Sequence, residues 1–175
     1  SCHKTDTATA ALVNRKRAPV LDGVGSRVRI KYLRKFLADP QATKPGTTMP
    51  GLFAESSKED RSRNVEALVH FLSTTGSITD KPAEEKFIGN GRNLFHKVGC
   101  TACHVPQEGK PLTVATAVPL PKLHEKYSVD SLTEFLKNPL TVRPSGRMPA
   151  PLLNANESRD VAHYLMRNLA GIVPV

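Results

Sequence analysis

An internal repeat is the feature of the sequence that most constrains the fold. Residues 33–50 read LRKFLADPQATKPGTTMP and residues 132–149 read LTEFLKNPLTVRPSGRMP, at a constant offset of 99 and without a gap. Self-similarity at a fixed offset is typical of a duplicated structural unit. The sequence therefore predicts two similar units in tandem. The identical pairs are Leu33/Leu132, Phe36/Phe135, Leu37/Leu136, Pro40/Pro139, Pro45/Pro144, Met49/Met148 and Pro50/Pro149.

The repeat extends to a second pair of segments, which lie nearer the end of each unit. VEALVHFLSTTG at 65–76 parallels DVAHYLMRNLAG at 160–171, and aligning their His–aromatic pairs matches His70–Phe71 with His163–Tyr164. Each segment follows polar residues that suit the start of a helix. We therefore expect each unit to end in a closing helix.

The stretch between the units, STTGSITDKPAEE at 73–85, is rich in small and polar residues, as short linkers are. We predict a first domain over residues 1–78, a linker over 79–84 and a second domain over 85–175. The chain contains 14 prolines and 11 glycines, which favour short helices separated by loops. The predicted fold class is all-α.

The motif CTACH at residues 100–104 carries the chemistry of the second unit. Two thiols at this spacing can add across the two vinyl groups on one edge of a porphyrin, and the following His104 then lies beneath the iron. The alternatives are a thioredoxin-like redox pair, which needs a βαβ context, and a zinc site, which needs a second pair of ligands. We predict a haem c bound covalently by Cys100 and Cys103.

A six-coordinate haem iron needs a second axial ligand, and Met148 is the candidate. It lies 44 residues after His104 in RPSGRMPAPLL, where prolines stiffen an extended loop. A thioether favours ferrous iron, so His/Met ligation raises the reduction potential. His124 is the competing ligand, but it lies only 20 residues after His104, on a segment expected at the same side of the haem.

The first unit has a partial copy of the same motif at its start. Residues 1–3 read SCH, and Cys2–His3 matches the end of CTACH at an offset of 101. Met49 lies 46 residues after His3, close to the spacing in the second unit. We predict a second haem c bound by Cys2, with His3 and Met49 as axial ligands. Upstream polypeptide is expected to complete this unit with its opening helix and its first cysteine.

The sequence resembles the tandem dihaem class I cytochromes c over almost its whole length. The resemblance includes the lead-in EEKFIGNGRNLFHKVGC at 84–100, APVLDGVGSR at 18–27, and the FL, P and MP positions of the repeat. The lead-in is expected to be a helix interrupted at its glycines. The resemblance implies short helices around covalent haem, with opening and closing helices packed together. It also implies that Pro19 and Pro119 supply the carbonyls that orient the axial histidines.

Net charge and the family resemblance together suggest a function. The formal charge of +9 favours an acidic redox partner, whereas basic residues without interleaved aromatics do not indicate nucleic acid. No apolar run is long enough to span a membrane. The resemblance implies an electron-transfer protein rather than an enzyme, in a periplasmic or other extracytoplasmic location. The alternatives are a dihaem enzyme such as a cytochrome c peroxidase, or an electron-entry domain of a larger dehydrogenase.

Overall fold

The computed structural model describes residues 18–105, 118, 120 and 122–167, and this part of the chain is mostly helical with almost no strand. The all-α prediction is therefore confirmed. The first half contains α1 (Val24–Arg27), α2 (Ile30–Ala38), α3 (Pro40–Thr43) and α4 (Lys58–Ser73). The second half contains α5 (Glu85–Lys97), a 3-10 turn (Cys100–Ala102), α6 (Leu123–Lys126), α7 (Val129–Lys137), α8 (Pro139–Val142) and α9 (Ala155–Leu165).

The duplication predicted from the sequence is present in the helix boundaries. Helices α1, α2 and α3 begin and end 99 residues before α6, α7 and α8, respectively. Pro40 and Pro139 each occupy the first turn of a short helix, where a missing N–H costs no hydrogen bond. The closing helices α4 and α9 follow in the same order, as expected.

Side-chain caps explain where the helices begin. Ser128 and Ser131 form a reciprocal pair at the start of α7, in which each hydroxyl accepts from the other residue's backbone N–H. At the start of α9, the side-chain oxygens of Asn154 and Glu157 likewise accept from each other's backbone N–H. Ser57 begins α4 by accepting from the backbone N–H of Asp60 at 3.0 Å. Polar residues were predicted to start the two closing helices, α4 and α9.

Two clusters of buried apolar side chains form the core, one in each half. In the first half, α2 packs against α4, whereas in the second half α9 packs against both α5 and α7. Val28 contacts both clusters and so joins them. The first cluster consists of Val24, Leu33, Leu37, Val65, Val69 and Leu72. The second includes Phe95, Tyr127, Leu132, Leu136, Val161, Tyr164, Leu165 and Met166.

Helix α5 is continuous, so the expected interruption at its glycines is wrong. Gly89 and Gly91 both lie inside it. A Cβ on Gly91 would overlap the carbonyl oxygen of Asp160 and lie 2.9 Å from the Cβ of Tyr164. The glycine is therefore used for the close approach of α9, not for a break.

The two halves meet along a seam formed by α2 and α6. The Arg29 backbone N–H donates to the Lys126 carbonyl at 2.9 Å, and the Arg29 guanidinium donates to the carbonyls of His124 and Tyr127. Arg29 also pairs with Asp80 of the predicted linker at 2.5 Å. The linker is thus tied to the first half. Within the described ranges, no helix is both long and apolar enough to cross a membrane.

Candidate functional site

The CTACH motif begins on a tight turn that follows the end of α5. The chain leaves the helix through Gly99, whose φ of 91° lies in the left-handed region that favours glycine. The backbone N–H groups of Cys103 and His104 then both donate to the Cys100 carbonyl, at 3.2 and 2.9 Å. This turn keeps the two cysteines and the histidine together at the C-terminal end of a packed helix.

The two thiols of the motif are free and lie in different surroundings. Cys100 is partly buried and packs against the second core, whereas Cys103 is exposed. Burial raises the pKa of the Cys100 thiol, so it stays protonated at neutral pH. Free thiols at this spacing are what covalent attachment of a porphyrin requires.

The imidazole of His104 is oriented by a backbone carbonyl. Its Nδ1 lies 3.1 Å from the Val118 oxygen, and because a carbonyl can only accept, Nδ1 carries the proton. The Nε2 lone pair is then available to a metal, an arrangement typical of metal-bound histidines. Val118 is held in place by its own N–H, which donates to the Cys103 carbonyl at 2.8 Å. Pro119, which was expected to supply this carbonyl, lies outside the described residues.

Met148, the predicted second ligand, lies in the second half on the same core cluster as the motif. It is partly buried and packs against the second core, the same cluster that Cys100 contacts. The turn before it is closed by a hydrogen bond of 2.8 Å from the Gly146 N–H to the Arg143 carbonyl. Other half-buried apolar side chains pack on the same cluster, namely Leu94, Leu120, Leu123, Phe135 and Leu153.

The donor set of the second half fits a haem. A porphyrin supplies the equatorial ligands of its iron, so the protein supplies only an axial pair, here an imidazole and a thioether. A structural zinc ion takes four protein ligands instead. Among the residues that the structure describes, no three His, Cys, Asp or Glu side chains group as such a site would need.

The predicted site of the first half is only partly described. Met49 is partly buried against the first core, as Met148 is against the second. Its backbone N–H donates to the Thr47 hydroxyl at 3.3 Å. Cys2 and His3 lie outside the described residues, so the pairing of His3 with Met49 stays a prediction.

The remaining histidines have other surroundings. His124 lies on α6 at the seam, where its carbonyl accepts from Arg29 at 2.6 Å. His163 is buried on α9, its Nδ1 accepts from the Glu84 N–H at 2.8 Å, and its ring lies 4.8 Å from that of Phe87. Sequence reasoning assigned His163 no specific contact. Nothing in its sequence neighbourhood indicates a partner 79 positions away.

Comparison with known proteins adds no assignment to this geometry. Protein-family models, curated proteins and solved structures were searched, and none matches the chain.

Proposed function

We propose that this chain is an electron-transfer protein that binds haem c at Cys100 and Cys103, with His104 and Met148 as axial ligands. The observation that carries the proposal is the His104–Val118 hydrogen bond. It fixes the imidazole in the tautomer that presents Nε2 to a metal, directly after two free thiols.

Each residue of the site has a defined role in this proposal. Cys100 and Cys103 would hold the haem by adding their thiols to its two vinyl groups, sulfur to one carbon and hydrogen to the other, a redox-neutral attachment. His104 and Met148 would ligate its iron and exclude other ligands. The bound haem supplies a reversible one-electron ferric/ferrous couple, whose potential a thioether ligand raises. The protein contributes orientation and a partly apolar setting.

The first half extends the proposal to a second haem, held by Cys2, His3 and Met49. The internal repeat supports this, because the boundaries of three helices and the partly buried methionine position coincide in both halves. With two haems, the chain relays electrons to or from an acidic redox partner, which its formal charge of +9 favours. Covalent haem attachment also favours a periplasmic or other extracytoplasmic location.

The experiment is to purify the chain from a host that attaches haem c, and to record its mass and absorption spectra. Each haem adds roughly 0.6 kDa, so two increments are expected for the chain. The Cys100→Ala/Cys103→Ala double variant should lose one increment. Met148→Ala should retain both increments but lose about half of the long-wavelength absorption of ferric iron bonded to a thioether, because Met49 still ligates the other haem.

If the Cys100→Ala/Cys103→Ala variant still carries two haem increments, the proposed site is contradicted. Met166→Leu is the control for the methionine, because Met166 is buried in the core and should leave the spectrum unchanged. Rapid turnover of hydrogen peroxide by the wild-type chain, with a high-spin ferric signal, would favour the dihaem enzyme instead.

A further inference from the structure

A cluster of cations at the seam between the two halves has no role in the site described above. Lys44 follows α3, Lys126 ends α6 and Arg143 follows α8. Two tyrosines, Tyr32 and Tyr127, adjoin them. We refer to these five residues as the seam cluster.

Lys126 and Arg143 of the seam cluster are partly withdrawn from water against aromatic rings, whereas Lys44 is more exposed. The Lys126 ammonium lies 5.1 Å from the centre of the Tyr32 ring and 4.8 Å from that of Tyr127. The Arg143 guanidinium lies 5.4 Å from the ring of Phe135, which itself stacks on Tyr127 at 5.9 Å. Cation–π contacts hold the cations in place, but they do not neutralise the charge.

The positive charges of the cluster are not balanced by acids. Burial, followed by the charges of Arg143 and Lys44, lowers the pKa of Lys126 to about 6. Burial and Arg143 also lower the pKa of Lys44. In the part of the chain that the structure describes, neither these lysines nor Arg143 is paired with a carboxylate. The nearby Glu125 instead pairs with Lys35 at 3.2 Å and with Lys122 at 3.5 Å.

The repeat relates two of these cations to each other. Lys44 and Arg143 occupy matching positions, each five residues before the methionine of its own half. Backbone hydrogen bonds across the seam, from Val20 N–H to Val142 O and from Arg29 N–H to Lys126 O, both at 2.9 Å, hold the two halves in register. Each half therefore contributes an equivalent cation to the seam cluster.

We propose that the seam cluster is a shared anion site, which receives carboxylates from the haems of both halves and couples the two haems electrostatically. This inference rests on the proposed function. A group of like charges that is partly buried is stabilised by anions at short range, and each haem carries carboxylates on the edge opposite its vinyl groups. The two phenol groups add hydrogen-bond donors to the same site.

The test is to measure both reduction potentials of the haem-loaded Lys126→Met variant by spectroelectrochemistry. The haem carboxylates would keep Lys126 protonated, so Lys126→Met removes a positive charge beside both haems. Its loss favours the oxidised states of the irons, so both potentials should fall. Lys126→Arg retains the charge and should restore both. Lys58→Met is the matched control, because Lys58 is exposed on α4 and its loss removes the same formal charge at a screened site.

Three results would overturn the shared site. They are a shift in only one potential, shifts no larger than those of Lys58→Met, and potentials that respond to inorganic phosphate at constant ionic strength. The last result would show that the cluster is open to anions from solution. If Lys126→Met does not fold, Lys44→Met is expected to lower both potentials in the same way. The haem count and spectrum are measured on the same samples, so failure of this inference is distinguishable from failure of the proposed function.

Discussion

The two closing helices come from matching parts of the repeat, yet their outer faces differ. Tyr164 of α9 is only 1% exposed, whereas the matching Phe71 of α4 is 68% exposed. His163 and His70, the residues before them, show the same contrast between burial and exposure. Repetition of a sequence pattern therefore does not ensure repetition of its packing.

The difference arises from α5. This helix crosses α9 at Gly91, and the ring of its Phe95 lies 5.6 Å from that of Tyr164. Asn90 of α5 also donates to the buried Asp160 carboxylate at 2.7 Å. In the described part of the first half, α4 packs on α2 and α1 through its other face. Phe71 thus marks the position that an opening helix covers in the second half.

The largest effect that this comparison predicts is a difference between two aromatic truncations. Tyr164→Ala removes a buried ring and should lower the free energy of unfolding by about 3–5 kcal/mol. Phe71→Ala removes an exposed ring and should change it by no more than about 0.5 kcal/mol. Urea unfolding of the haem-loaded chain, followed by circular dichroism, measures both. Equal losses would mean that Phe71 is covered in solution.

The next effect separates the two glycines of α5. Gly91→Ala places a methyl group against the Asp160 carbonyl and should destabilise the chain by about 1–3 kcal/mol, because α9 has to move away. Gly89→Ala is the matched control, because a Cβ there meets nothing within 4 Å. It should stabilise the helix by about 0.5–1 kcal/mol. Thermal denaturation measures both variants. If both substitutions shift the melting temperature in the same direction, the close approach of α5 and α9 at Gly91 is disproved.

These glycines also show how far the sequence could predict the structure. Prolines and polar caps act on neighbouring residues, so these local signals, together with the internal repeat, correctly predicted the helical class, the caps of α4 and α9 and the helix order. The role of Gly91 depends on Asp160, which is distant in sequence and approaches only after folding. Local pattern therefore suggested a break in α5, where the structure has an uninterrupted helix.

At the candidate site too, the sequence indicates local motifs but not contacts between residues that are distant along the chain. CTACH predicts a haem site from residue type and spacing alone, and Met148 stays a predicted ligand. The carbonyl that orients His104 belongs to Val118, a residue with no polar side chain to signal its role. The seam cluster was not predicted either, because its members become neighbours only when the two halves pack together.

The smallest expected effect is a pH dependence that distinguishes His163 from His70. Burial lowers the pKa of His163 from 6.5, with Arg159 adding to the shift, while Glu84, Asp160 and Asp130 oppose it. The unfolded chain therefore binds this proton more readily, and stability is lost as the pH falls below about 6.5. Protonation also removes the acceptor of the Glu84 N–H, a bond that contributes on the order of 1 kcal/mol.

His163→Gln keeps an acceptor without a titrating ring, so its melting temperature should change less between pH 7 and pH 5 than that of the wild type. His70→Gln, the exposed counterpart on α4, should retain the wild-type change. The reverse order of the two variants would show that the buried histidine is not the source of the acid sensitivity.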